Sequence, residues 1–197
     1  MKNWLFYPLS ALIIAGMIVY ALSFSTSSAP VDPNVFELSG DSLGELFPSP
    51  GTTMQLANDT NGAVAYAVLS GQLDRATAPA SAGVFGTLGP VHEESFAGHA
   101  IRITVRARQG QLNPSETMDV AYFTAGAGDS AWQNYALSKD FTDYSFVFTP
   151  GPLNAKASTD FIGIWPSPKG QKRTIDLLSV RVERIIDAPA DATLNSN

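Results

Sequence analysis

The chain has 197 residues, which fits one domain with short extensions, and its 45% apolar and 15% charged residues exclude a disordered polypeptide. It contains no cysteine, so disulfides, cysteine nucleophiles and thiolate metal sites are ruled out. All 18 acidic residues and 11 of the 12 basic ones follow residue 30, giving the body a net charge of −7 that disfavours nucleic acid, because phosphate binding draws on clustered Lys and Arg.

The N-terminus carries no charge from Asn3 to Val31, and its apolar stretch, Trp4 to Phe24, is 21 residues long. A helix of that length rises about 30 Å, enough for a hydrocarbon core. Lys2 precedes the segment and Asp32 and Glu37 follow it, so the positive-inside bias leaves Met1 in the cytoplasm. Trp4, Tyr7 and Tyr20 lie near the two ends, where amphipathic rings favour the interface. Residues 1–24 are therefore predicted to be a signal-anchor transmembrane helix. The alternative is a cleaved signal peptide, processed after "SSA" before Pro30 or at "ALS", Ala21 to Ser23; such peptides usually have apolar regions of only about 7–15 residues. Either reading places the body outside the cytoplasm. The anchor reading gives a single-pass inner-membrane protein with its C-terminal domain in the periplasm or outside the cell.

Residues 25–34, rich in Ser, Pro and Asp and without periodicity, read as a linker. Residues 35–186 read as an antiparallel β-sandwich of about nine or ten short strands. The clearest strand is "AIRITVRAR": Ile101, Ile103, Val105 and Ala107 share one face, and Arg102, Thr104, Arg106 and Arg108 the other. "TMDVAYFTA" sets Met118, Val120 and Tyr122 together, and "DYSFVFTP" does the same for Tyr144, Phe146 and Phe148. "AVAYAVLSG", "AGVFGTLG" and "DFIGIWP" are continuously apolar, as in strands covered on both faces. In "RTIDLLSVRVERI" the apolar phase changes from odd positions, Ile175 and Leu177, to even ones, Val180 and Val182. A bulge near Leu178 and Ser179 keeps all four inward. No helical period extends past the anchor, and residues 187–197 read as a disordered tail.

The order of these pieces resembles the jelly-roll carbohydrate-binding modules with a galactose-binding-like fold. The resemblance rests on Gly98, Ile101, Arg102, Thr104, Ala107 and Arg108 in "FAGHAIRITVRAR", then on Trp132, Tyr135 and Leu137 in "AWQNYALS". It continues with Phe141, Tyr144, Phe146 and Phe148, and closes with Ile175, Asp176, Val180 and Val182. It covers about residues 53 to 185. It implies a jelly roll and a non-covalent binding role, with Phe141 standing where such modules often carry Trp. The same resemblance suggests a structural calcium, for which Asp32, Glu37 and Asp176 are the oxygen donors considered.

Candidate ligand-binding residues are Trp132, Gln133, Asn134 and Tyr135, beside the glycine-rich "AGAGDS", together with Trp165. Sugar sites combine apolar aromatic walls with a few fixed polar groups. Trp165 also continues the phase of Phe161 and Gly163, which favours a structural role for it. "SPKGQKR" gathers Lys169, Lys172 and Arg173 into a loop suited to an anion or simply to solvent. The Arg102, Arg106 and Arg108 stripe suits acidic sugars, or carboxylates on neighbouring strands. His92, Glu93, Glu94 and His99 do not show zinc-ligand spacing. There is neither a nucleophile elbow nor a phosphate-cradling loop. The expected function is a membrane-anchored, non-catalytic module that recognises a glycan or envelope polymer, with no cofactor. The alternative is an accessory subunit that docks onto a membrane protein complex through residues 4–24 and the sandwich.

Overall fold

The computed structural model describes residues 10, 12–14, 16–17, 31–79, 81–124, 128–153 and 159–186. The chain divides into two compact units, Met1–Asp32 and Pro33–Asn197. In the first, Ser10, Leu12 to Ile14, Gly16 and Met17 are helical. The rest of the predicted anchor, residues 25–30 of the linker and the 187–197 tail lie outside the described residues. Among the described residues no helix is long and apolar enough to cross a membrane.

The second unit is all-β with antiparallel strands. Its strands are β1 (Val35–Ser39), β2 (Phe47–Pro48), β3 (Thr52–Asn58), β4 (Val64–Gly71), β5 (Val84–Thr87), β6 (Ile101–Gln109), β7 (Thr117–Phe123), β8 (Gln133–Ala136), β9 (Thr142–Phe148), β10 (Phe161–Trp165) and β11 (Arg173–Arg184). One sheet has the order β3-β4-β11-β6-β9, with β1 also pairing β11; the other has the order β2-β5-β10-β7-β8. Strand β11 organises the first sheet. Its first half pairs β4, its second half pairs β1, and β6 lies along its other edge. The register shifts between Leu177 and Ser179, as the change of apolar phase predicts, and Ile175, Leu177, Val180 and Val182 are all buried.

The two inner faces form one core. Ile101, Ile103, Val105 and Ala107 meet Met118, Val120, Tyr122, Ile162 and Ile164 there. Tyr144, Phe146 and Phe148 pack on its flank. A short helix, α1 (Pro90–Phe96), departs from the expectation of no helix beyond the N-terminus. Pro90 opens it, where a missing N–H costs nothing. With seven residues it is too short to display a helical period. His92 on this helix meets the Val35 carbonyl oxygen through Nε2 and packs against Phe36 and Phe96, a structural post.

The arginine stripe on β6 meets carboxylates from neighbouring strands. Arg102 pairs with Glu183, Arg106 with Asp143 and Arg108 with Asp176. Glu37 pairs with Arg181, so two of the three carboxylates considered for calcium hold arginines. Among the described residues no group of three or more His, Asp or Glu is placed to hold a metal ion. Arg108 is the most embedded of the stripe. Its Nε donates to Asp176 at 2.9 Å, and its guanidinium lies 4.3 Å from the Phe141 ring centroid and 5.4 Å from that of Tyr66. Asp176 is 1% exposed, and Arg108 is its ion-pair partner. Arg108→Met is expected to destabilise the fold by about 3–5 kcal/mol by stranding the buried carboxylate. The double variant Arg108→Met/Asp176→Leu should recover most of the loss in urea unfolding.

Candidate functional site

The outer face of the five-stranded sheet carries a row of aromatic rings, because successive side chains on a strand alternate between faces. Aliphatic Val84, Val120, Ile162 and Ile164 fill the core, so Phe85, Phe123 and Phe161 must point away from it. Phe47 on β2 lies opposite Phe85, with ring centroids 6.0 Å apart. Phe85 meets Phe161 edge-on at 5.8 Å, Phe161 stacks on Phe123 at 4.9 Å, and Phe123 meets Trp132 edge-on at 5.4 Å. The row crosses all five strands, from 54% exposed Phe47 at one edge to Trp132 just before β8 at the other. All four rings between Phe47 and the far edge, Trp132 included, are partly open to solvent.

Trp132 is held from two sides. Phe123 abuts it, and the Arg75 guanidinium sits 5.1 Å from its ring centroid. Arg75 is fixed in turn: its Nε donates to Asp119 Oδ2 at 2.7 Å. Asn134 Nδ2 donates to Asp119 Oδ1 at 2.6 Å, so both oxygens of this buried carboxylate are occupied. Trp132 and Asn134 thus share the outer face with the row. Gln133 lies opposite core residue Val120, and Tyr135 packs against the core and against Tyr144, ring centroids 5.5 Å apart. Trp165 is on the outer face but 0% exposed. A Cβ on Gly51 would lie 3.1 Å from its ring, and one on Gly83 3.2 Å from it. These two turns cover the indole, and neither ring face is open to a ligand. Its N–H has no hydrogen-bond partner among the described residues.

Phe85 and Phe161 do not emerge as site residues from the sequence, because their continuous apolar runs suggest strands buried on both faces; Phe123 directly follows core residue Tyr122, and Phe47 lies in a strand of only two residues. A usable signal lies in β5 and β10, where Phe85 and Phe161 alternate with core residues Val84 and Ile162; Trp165 shares that phase but is covered.

The basic loop between β10 and β11 has a constrained backbone. Gly170, Gln171 and Lys172 have successive φ values of 67°, 62° and 55°, a left-handed run in which two residues are not glycine. Asn113 secures it by donating from Nδ2 to the carbonyl oxygens of Gln171 and Lys172 at 3.0 and 2.9 Å. Arg173 donates to Gln171 Oε1 and to the Pro114 carbonyl. These contacts make the loop a built feature of the fold.

No protein-family model and no curated protein matches this sequence. Among solved structures, the CBM22-2 xylan-binding domain from Paenibacillus barcinonensis Xyn10C is similar with a TM-score of 0.53 and 10% identity, over 76% of this chain and 99% of that one. The N-terminal CBM22-1–CBM22-2 tandem domain of the same protein gives a TM-score of 0.52 at 10% identity, over 87% of this chain. This chain spans about half, 51%, of the tandem's length. The fold is that of the jelly-roll carbohydrate-binding modules, in agreement with the order of strand motifs.

One other cluster has the perturbed acidity of a functional group. The Tyr122 hydroxyl donates to Asp160 Oδ2 at 2.8 Å, and the Asp160 N–H donates to Glu93 Oε1 at 2.9 Å. Burial above all, with the neighbouring Glu93 and Asp129 charges, pushes the Asp160 carboxyl up to about 6, against the pull of the Tyr122 hydrogen bond. Burial also raises the Tyr122 hydroxyl, with Asp160 adding to the effect. All three side chains are enclosed, which suits a structural network better than contact with a polymer. Because the native pKa lies above the unfolded one, this carboxyl stabilises the fold fully below about pH 4, and that contribution is lost as pH rises through 6. Asp160→Asn keeps an acceptor for Tyr122 and stays neutral. It is expected to match the parent near pH 4 and exceed it by roughly 1–3 kcal/mol at pH 7.5 in denaturant titrations.

Proposed function

We infer that the body is a non-catalytic module that binds a polysaccharide along the outer face of the five-stranded sheet. The observation that carries this reading is the aromatic row from Phe47 to Trp132. A contiguous, partly exposed apolar strip costs solubility unless a partner covers it. Sugar rings present C–H faces to aromatic groups and hydroxyls to polar ones, and this strip ends among Arg75, Asp119 and Asn134. The xylan-binding name of one structural neighbour supports a carbohydrate as the partner. Hydrolysis would need two carboxyl groups across the scissile bond. Asp119, beside Trp132, is committed to Arg75 and Asn134 and is not free to act as acid or base. The uncharged run from Asn3 to Val31 supports an anchor that carries the module outside the cytoplasm. Tethering raises the local concentration, so weak individual contacts suffice.

The test is affinity electrophoresis and calorimetry of the full chain, in a non-glycosidic detergent, against a panel of plant and bacterial polysaccharides. At least one should bind. Trp132→Ala should weaken that binding by about tenfold or more while leaving the unfolding transition in place, and Trp132→Phe should be intermediate. A folded protein that binds nothing on the panel, yet co-purifies with a membrane complex, would replace this reading with the docking subunit.

A further inference from the structure

Next to the Trp132 end of the row lies a cavity of about 310 Å³ with a different chemistry. Its lining includes Ser115, Thr117, Asn134, Ser167, Lys169 and Arg173. One of these residues, Asn134, ties it to the row. Asn134 is two positions beyond Trp132 on the same strand face, about 7 Å along the chain. Its amide holds Asp119, which holds the arginine over the tryptophan ring. A chain lying along the aromatic strip would therefore reach the cavity within about one sugar unit of Trp132.

Lys139, Lys172 and Arg184 also form no ion pair among the described residues, but this cavity brings two such cations, Lys169 and Arg173, into one lining. The body is acidic, and Arg75, Arg102, Arg106, Arg108 and Arg181 are each paired with a carboxylate. Among the described residues, neither Lys169 nor Arg173 has a carboxylate within ion-pair distance. Arg173 is positioned by the Pro114 carbonyl and the Gln171 amide, contacts that orient the guanidinium and leave its charge unbalanced. The left-handed run at Gly170, Gln171 and Lys172, clamped by Asn113, holds the loop between the two cations. Ser167 also lines the cavity and is 2% exposed. Two cations, hydroxyls and an amide gathered in a concave space suit a carboxylate flanked by sugar hydroxyls. Glu116 also lines the cavity and opposes that charge, leaving two cations against one carboxylate in the lining.

The geometry points to a uronate subsite: Lys169 and Arg173 receive the carboxylate of an acidic sugar in a chain whose neighbouring rings lie along the aromatic row. This inference rests on the polysaccharide reading and narrows it to acidic glycans. The remaining outer-face contacts are neutral or already paired, so the cavity supplies the discrimination between acidic and neutral chains.

The experiment compares the full chain, in a non-glycosidic detergent, on galacturonan, alginate, glucuronoxylan and hyaluronan with binding to the same polymers after their carboxyl groups are reduced to alcohols. At least one acidic polymer should bind about tenfold tighter than its reduced form at 50 mM salt, with the gap closing towards 500 mM. Lys169→Gln should cut the preference severalfold without weakening binding to the reduced polymer. Glu116→Gln should raise affinity for the acidic form, and this variant does not depend on altering the cation loop. Trp132→Ala should weaken both forms equally. If acidic and reduced polymers bind alike and neither charge variant separates them, the uronate subsite is overturned while the polysaccharide reading stands. If no polymer of either kind binds, both are overturned.

Discussion

A strand in a sandwich has only two faces, and β10 places Ile162 and Ile164 on the core side. The rest of the outer sheet follows from that choice. Phe161, Gly163 and Trp165 must face away, and each meets a different fate. Trp165 is large and central, and is sealed beneath the Gly51 and Gly83 turns. Gly163 forms a floor: a Cβ there would lie 2.9 Å from the Phe123 ring and would collide with the Ala82 backbone. Phe161 stays partly open and stacks on Phe123 because Gly163 leaves that ring room. The aromatic strip is thus a consequence of the core packing as much as of any ligand.

The outer face of the other sheet carries charges that are already paired. Its arginines are matched strand by strand with Glu183, Asp143, Asp176 and Glu37. Cross-strand pairs of this kind satisfy charge locally and leave little to offer a partner. The five-stranded sheet has the opposite character: partly open rings along its middle and, at one end, Lys169 and Arg173, which form no ion pair among the described residues. Two faces of one sandwich, built by the same alternation rule, differ in whether their side chains are already satisfied.

Period-two patterning made most of the fold legible. It located β6, β7, β9 and the phase change in β11, because each has a polar side to contrast with an apolar one. It failed where both sides are apolar. In β5 and β10 hydrophobicity alone could not distinguish rings facing solvent from aliphatic groups facing the core. The short helix at Pro90 escaped because two turns leave no repeat to detect. Trp132 was legible from its glycine-rich surroundings. Its partners Phe123, Arg75 and Asp119 were not, since they are brought to it by strand pairing and by a loop far away in sequence.

The register between β7 and β8 sets both halves of the candidate site. Asp119 lies opposite Asn134, and Met118 opposite Tyr135. A slip of one residue would turn Trp132 and Asn134 inward and bring Gln133 and Tyr135 to the outer face. What resists that slip is Tyr135, whose ring packs against Tyr144 and the core, and Leu137, buried just past the strand. The opposite side of the same pairing is secured by the Asn134 bond to Asp119. The apolar grip of Tyr135 and Leu137 on the inside therefore presents Trp132 to the row and Asn134 to the cavity on the outside. In this arrangement Tyr135 holds the strand in the register that sets its outer face.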